Sequence, residues 1–239
     1  MKKKRITKKI IIIIGIALVI CLGFIANNVI HEVFPYISTQ KITSEYLDRL
    51  DLDGYDRLMI VAHPDDEMLW GGAELLENNY MVLCITRGYD DVRRGEFEAV
   101  MEATGSKGII LSYPDKIYNK RSDWRFCSED ITQDIQTVIN YKKWDRVVTH
   151  NEAGEYGHIH HKKTHSLVMD LYRADGSNFG EFYVFGTYYK KSAIPEGLDT
   201  LPDSTVEKIN EINKLYKSQE RTITKLGHMI PYQNLTRVE

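Results

Sequence analysis

Hydrophobic and polar positions alternate along this chain in three regimes. Ile10 to Ala26 is apolar without a charge, residues 31–54 are mixed, and from residue 55 short apolar runs alternate with amphipathic ones. Leu58 to Ala62 is rich in aliphatic and β-branched residues and reads as a strand buried on both faces. Further strands are predicted at Tyr80–Thr86, Gly108–Ser112, Asp145–Thr149 and the aromatic run Phe182–Tyr189. Between them lie helical spacings over Thr43–Leu50, Met68–Asn78, Asp91–Thr104, Ser128–Tyr141, His161–Tyr172 and Thr205–Arg221. Ser128 is the expected N-cap of the fourth helix, Gly105 the expected C-cap of the third, and the tail is expected to be irregular. Strands alternating with helices predict an α/β fold over residues 55–239, a mainly parallel sheet covered on both sides in three α/β/α layers.

The first thirty residues stand apart from that fold. Residues 1–9 are basic, and seventeen apolar residues at helical rise span about 25 Å, enough with Asn27 to Ile30 for a transmembrane segment over 10–30. Cleavage signals are poor: Ala26 has the bulky Phe24 two residues before it, and Cys21 follows Ile20 where a lipoprotein signal needs a small residue. The expectation is an uncleaved single-pass anchor in a cell membrane of bacterial type. Its basic end lies in the cytoplasm, residues 31–54 connect, and the folded domain sits outside.

Charge sharpens the picture. The formal net charge is −3, but residues 1–30 hold six Lys or Arg and no acid. The remainder carries 25 basic against 34 acidic residues, which argues against a polyanion-binding body and makes nucleic acid a poor candidate partner. Cys21, Cys84 and Cys127 form no metal-spaced pair, and Cys84 reads as a small core residue.

Chemistry concentrates at two strand ends. After Ala62 come His63, Pro64, Asp65, Asp66 and Glu67. Proline keeps the preceding residue extended and suits a helix start, so the strand ends near His63 and a helix begins near Asp65. Acids in a first helical turn are ordinary caps, and a histidine before proline is an ordinary turn residue. Three consecutive acids are harder to explain, because they repel one another unless a cation is present. The helix N-terminus favours their ionised forms. The partner stretch, His150 to His165, carries five of the eight histidines and follows the fourth strand, so it opens on the same sheet edge. His158 with His161, and His161 with His165, have the spacing of one helical face.

Ala62-His-Pro-Asp-Asp-Glu67 and Gly154-Glu-Tyr-Gly-His-x-x-His161 together resemble the PIG-L (LmbE-like) zinc-dependent N-acetylglucosamine deacetylases. The likeness extends over residues 55–225 and includes Arg93-x-x-Glu96 and Tyr216-Lys-Ser-Gln219. It implies a Rossmann-like fold and a Zn2+ ion, or another divalent metal, held by His63, Asp66 and His161. It further implies Asp65 as general base and His158 beside the developing oxyanion and the leaving amine. Arg93 is the expected substrate-binding arginine, with Glu155 and Tyr156 as candidates for sugar hydroxyls. Where that family often has His-Pro-Asp-His, Ile159 and His160 stand here, which removes the neighbouring acid that would orient His158. Three protein ligands leave a coordination position open for water, the arrangement of hydrolytic zinc sites.

The implied activity is removal of an N-acetyl group from an N-acetylglucosamine-type sugar on a glycolipid or cell-surface glycan, since confinement to the membrane favours substrates already there. Two readings compete with it. A zinc amidase acting on a non-sugar acyl amide would use the same residues. A non-catalytic metal-dependent sugar-binding protein would keep the ligands but dispense with a base, and Asp65 counts against it.

Overall fold

The structure is a computed structural model that describes residues 2–37 and 41–239. Helix α1, Lys2–Asn28, includes the basic stretch, and its segment Lys8–Asn28 is long and apolar enough to cross a membrane, with its most apolar 18 residues unburied by the protein. It continues through one π-turn, Val29–Val33, into the short helix α2, Phe34–Ile37. Helix α3, Ser44–Asp48, is shorter than the predicted Thr43–Leu50 because Thr43 caps it, its Oγ1 accepting from the Tyr46 N–H at 3.3 Å.

The alternation then unfolds as predicted, with shifted boundaries. Strand β1, Arg57–Val61, leads into α4, Asp66–Glu77, then β2, Tyr80–Thr86, α5, Asp91–Thr104, and β3, Lys107–Tyr113. A small hairpin, β4 (Lys116–Ile117) and β5 (Lys120–Arg121), precedes α6, Ser128–Tyr141; Cys127, not Ser128, occupies its N-cap position. Strand β6, Trp144–Thr149, helix α7, Ile159–Ala174, and strand β7, Phe179–Phe185, follow. The late helix is not continuous: α8, Asp203–Asn213, and α9, Glu220–Leu226, flank a break where Tyr216 turns into the core. The tail is not wholly irregular either, because Leu235–Arg237 forms β8 against β7.

The sheet order is β3-β2-β1-β6-β7-β8, parallel throughout except for the antiparallel β8. Strict alternation along β1 divides its side chains between two cores. Leu58 and Ile60 join Leu83, Ile131, Ile135, Val147 and Val168 on one face, whereas Met59 and Val61 join Val82, Phe97, Val100, Val148 and Ile209 on the other. Burial on both faces is what a parallel strand beneath two helical layers requires. Strand order reverses direction between β1 and β6. Such a reversal opens a crevice beyond the carboxyl ends of the two strands, where doubly wound sheets take their ligands. His63 follows β1 and His150 follows β6.

Candidate metal and catalytic centre

The two strand ends are tied before any functional group is placed. The Thr149 hydroxyl donates to the Ile60 carbonyl at 2.9 Å, and the Thr86 hydroxyl to the Ala62 carbonyl at 2.8 Å. The Ala62 N–H donates to His150 Nε2 at 3.0 Å. Since Nε2 accepts there, the proton of His150 sits on Nδ1, which donates to Glu155 Oε2 at 2.9 Å. His150 has therefore no lone pair left for an ion.

Hydrogen-bond partners fix the protons of the other imidazoles as well. His160 Nε2 lies 2.8 Å from the Ser122 carbonyl, an acceptor only, so this nitrogen carries the proton. Its Nδ1 then accepts from His63 Nε2 at 3.0 Å. The lone pair of His63 Nδ1 is left facing Asp66 Oδ2 at 3.1 Å. On His161, Nδ1 donates to Glu155 Oε2 at 2.5 Å, while Nε2 is buried without a hydrogen-bond partner and 3.2 Å from Asp66 Oδ1. Two bare imidazole nitrogens thus converge on one carboxylate. Burial favours a neutral His63, and two acceptors facing a carboxylate repel unless a cation sits between them.

His161 shows the strain of that arrangement. Burial lowers its basicity, but Asp66 and Glu155 outweigh burial and raise it to about 10, so a proton fills the place a metal cation would take. Burial pushes Asp66 up, yet the neighbouring imidazoles, His161 above all, hold it well below the usual carboxylate range. The donor set of two imidazoles and one carboxylate suits a divalent ion of the zinc type. Glu155 supplies the outer carboxylate that orients a ligating imidazole.

Asp65 lies beside this point in a conformation few residues adopt, with φ of +121°. Its peptide is gripped from both sides. The Arg93 guanidinium donates to the Pro64 carbonyl, and the Asp65 N–H donates to Glu67 Oε2 at 3.1 Å. Burial raises the Asp65 carboxyl to about 6, against the pull of Arg93, whose Nη2 is 3.6 Å away. Glu67 was expected to be ionised by the helix N-terminus. Its complete burial overrides the dipole and raises it to about 8, and Tyr216 donates to its Oε1 at 2.5 Å. Tyr216→Phe leaves that oxygen buried without a donor, and is expected to cost about 1–3 kcal/mol of stability. Chemical denaturation of the variant checks this.

His158 is not on the helical face of α7. It is the N-cap, its Nδ1 accepting from the His160 N–H at 3.2 Å, so the backbone orients it where a neighbouring acid is missing. The proton is left on Nε2. Burial, with His63 and His161 nearby, holds the ring far below ordinary histidine basicity, so it stays a neutral hydrogen-bond donor. His63, Asp65, Asp66, Arg93, Tyr156 and His158 line a cavity of about 960 Å3. Arg93 is buried, and its Nε and Nη1 have no hydrogen-bond partner in the protein. Glu155 departs from its expected part. It lies outside that cavity, its carboxylate taken by His150, His161 and the Asn151 N–H, and so positions imidazoles instead of meeting a sugar.

Asp115 had no place in the sequence reading. It follows β3 in Tyr113-Pro-Asp115, is buried at the cavity wall, and is clamped by Arg87 and Arg121. Its Oδ1 is 3.5 Å from His63 Nε2 and 3.6 Å from His160 Nδ1. A strand followed by Pro-Asp was the available signal. Trp124 stacks on His160 with ring centroids 4.3 Å apart.

Comparisons with known proteins bear on the family and the fold. The profile of the PIG-L family, described as GlcNAc-PI de-N-acetylase, matches residues 58–172. "Uncharacterized protein L374" of Acanthamoeba polyphaga mimivirus is 31% identical over 201 residues, covering 77% of this chain and 80% of its own. Among solved structures, the A40926 pseudoaglycone deacetylase Dbv21 superposes with a TM-score of 0.56 at 19% identity, over 72% of this chain and 85% of that one. A deacetylase of the teicoplanin biosynthesis pathway gives 0.54 at 17% identity, over 70% and 86%. GalB, the 4-carboxy-2-hydroxymuconate hydratase of Pseudomonas putida KT2440, gives 0.53 at 18%, over 73% and 84%. A hydratase on the same scaffold shows that the architecture alone does not select the reaction.

Proposed function

From the premise that this chain belongs to the PIG-L family of de-N-acetylase-type hydrolases, we propose that it removes the N-acetyl group from an N-acetylglucosamine-type sugar carried on a glycolipid or cell-surface glycan. The observation that carries this reading is the convergence of His63 Nδ1, His161 Nε2 and the Asp66 carboxylate beside a strained, buried Asp65. Those three residues would hold Zn2+. When bound, such an ion supplies Lewis acidity, lowering the pKa of water and polarising an amide carbonyl.

The residues of the chain do the rest. Asp65 takes a proton from the attacking water and returns it to the departing amine as the C–N bond breaks, a role matched by a carboxyl raised to about 6, high enough to accept and low enough to be ionised at neutral pH. His158 Nε2–H donates to the oxygen on which negative charge develops as the carbonyl becomes tetrahedral. Glu155 and His160 keep His161 and His63 in the tautomers that leave the facing nitrogens bare. Arg93 and Tyr156 line the cavity where the sugar would lie. Helix α1 serves as a single-pass anchor, with the domain on the side away from its basic end.

An N-acetylglucosaminyl lipid incubated with the full chain in detergent tests the reading. Acetate is expected to appear, to stop on chelation, and to return on adding Zn2+. Cleavage of non-sugar acetamides alone would transfer the site to the amidase reading. Tight sugar binding without acetate would transfer it to the binding-protein reading.

A further inference from the structure

Large apolar side chains exposed on the folded domain are few, and they are not scattered. Among the described residues after Lys41 they are Val92, Tyr118, Phe126, Tyr156 and Ile159. Val92, Tyr156 and Ile159 line the cavity that holds the candidate centre. Tyr118 is at the turn of the β4–β5 hairpin, between Lys116 and Arg121, which also line it. Phe126, 87% exposed, follows on the same excursion from the sheet. Burial would favour each of these side chains, so a domain surrounded by water gains nothing by displaying three of them at one opening and two on the excursion that carries Lys116 and Arg121 to it.

Two further observations say what covers this rim. The turn that continues α1, Val29–Val33, packs against β4, and α2 packs against β3. The membrane-length helix is therefore delivered to the hairpin at the cavity mouth. Four residue steps separate Ile37 from Lys41, a reach of at most about 14 Å, so the connector cannot hold the domain away from that helix. The rim is also cationic. Lys116, Lys120, Arg221 and Lys225 form no ion pair among the described residues, and three of them line the cavity. Aromatic side chains interleaved with unpaired Lys and Arg next to a membrane helix are the composition of a bilayer interface with anionic lipid.

We infer that the cavity rim is a membrane-docking surface. Phe126 and Tyr118 seat in the headgroup layer of the bilayer that α1 crosses, the unpaired cations meet anionic phospholipid, and the cavity opens onto that layer. This deepens the proposed function and rests on its anchored reading: the substrate is an acetylated sugar attached to lipid at the membrane surface, not the distal end of a long glycan.

The test uses the full chain in vesicles of phosphatidylcholine and phosphatidylglycerol, with and without brominated phosphatidylcholine. Against the wild-type background, the added fluorescence of the F126W variant is expected to be quenched by bromolipid. That of R173W, at the far end of the 16-residue helix α7, is not. Equal quenching of both, no quenching, or quenching that follows protein density overturns the inference. The double variant F126S/Y118S is expected to lose about tenfold in kcat/KM on a vesicle-embedded N-acetylglucosaminyl lipid, the consequence of removing a buried aromatic, and nothing on a soluble N-acetylglucosaminide. Equal loss on both substrates, or on neither, also overturns it. Quenching requires no turnover, so absence of acetate release altogether would count against the hydrolase reading and leave the docking result standing on its own.

Discussion

Replacing Asp65 by asparagine is expected to leave the protein folded and loaded with its cation while slowing acetate release by about 10²–10⁴-fold, the usual contribution of a positioned general base. Asparagine tolerates positive φ about as well as aspartate, so the +121° backbone survives the exchange. The Arg93 bond to the Pro64 carbonyl and the Glu67 bond to the residue 65 N–H involve the main chain and are untouched. The ability to take a proton disappears, together with the charge that faces Arg93 at 3.6 Å. Metal analysis and initial rates of acetate release on the same preparation decide it: wild-type turnover would remove Asp65 from the role of base, and a metal-free variant would show that the substitution disturbed the neighbouring Asp66. The wild-type rate carries a matching pH signature. A base raised to about 6 is ionised above that value and protonated below it, so activity falls as pH drops through about 6, and the asparagine variant loses that limb.

Much of this centre was legible because local sequence dictates it. An aliphatic run ended by His-Pro and a row of acids can only be a strand feeding a helix, and the histidine-rich loop had to open on the same edge once both preceding runs were parallel strands. The sequence could not reveal pairings with no periodicity. Glu67 and Tyr216 are 149 residues apart and meet only because α8 packs across α4, turning an expected charged cap into a protonated core residue. That pairing also explains the broken late helix, whose amphipathic pattern runs through a residue the core requires turned inward. Glu155 was misassigned for a related reason: Gly-Glu-Tyr-Gly reads as a loop bending toward a ligand, whereas the carboxylate bends inward to two imidazoles. Strand β8 escaped because three residues, two of them exposed, carry no period.

His161→Ala is expected to abolish both cation binding and acetate release. It removes one of the two bare imidazole nitrogens that converge on Asp66, and leaves that carboxylate facing a single ligand. Glu155→Gln makes the graded comparison. It keeps an acceptor for the two imidazoles but removes the charge that raises ligand basicity, and outer carboxylates of this kind are worth about 10–100-fold in metal affinity. The direction of the pH effect follows from His161. Without a cation, Asp66 and Glu155 keep its ring protonated up to about 10, so near neutral pH a metal must displace that proton, and apparent affinity falls about tenfold for each unit the pH is lowered. Titration calorimetry of metal-stripped protein in buffers of differing ionisation enthalpy should register about one proton released per ion bound by the wild type, and no binding by His161→Ala. Binding by that variant at wild-type affinity would move the cation to other donors, and with it the partnership of Asp65 with any water to be activated.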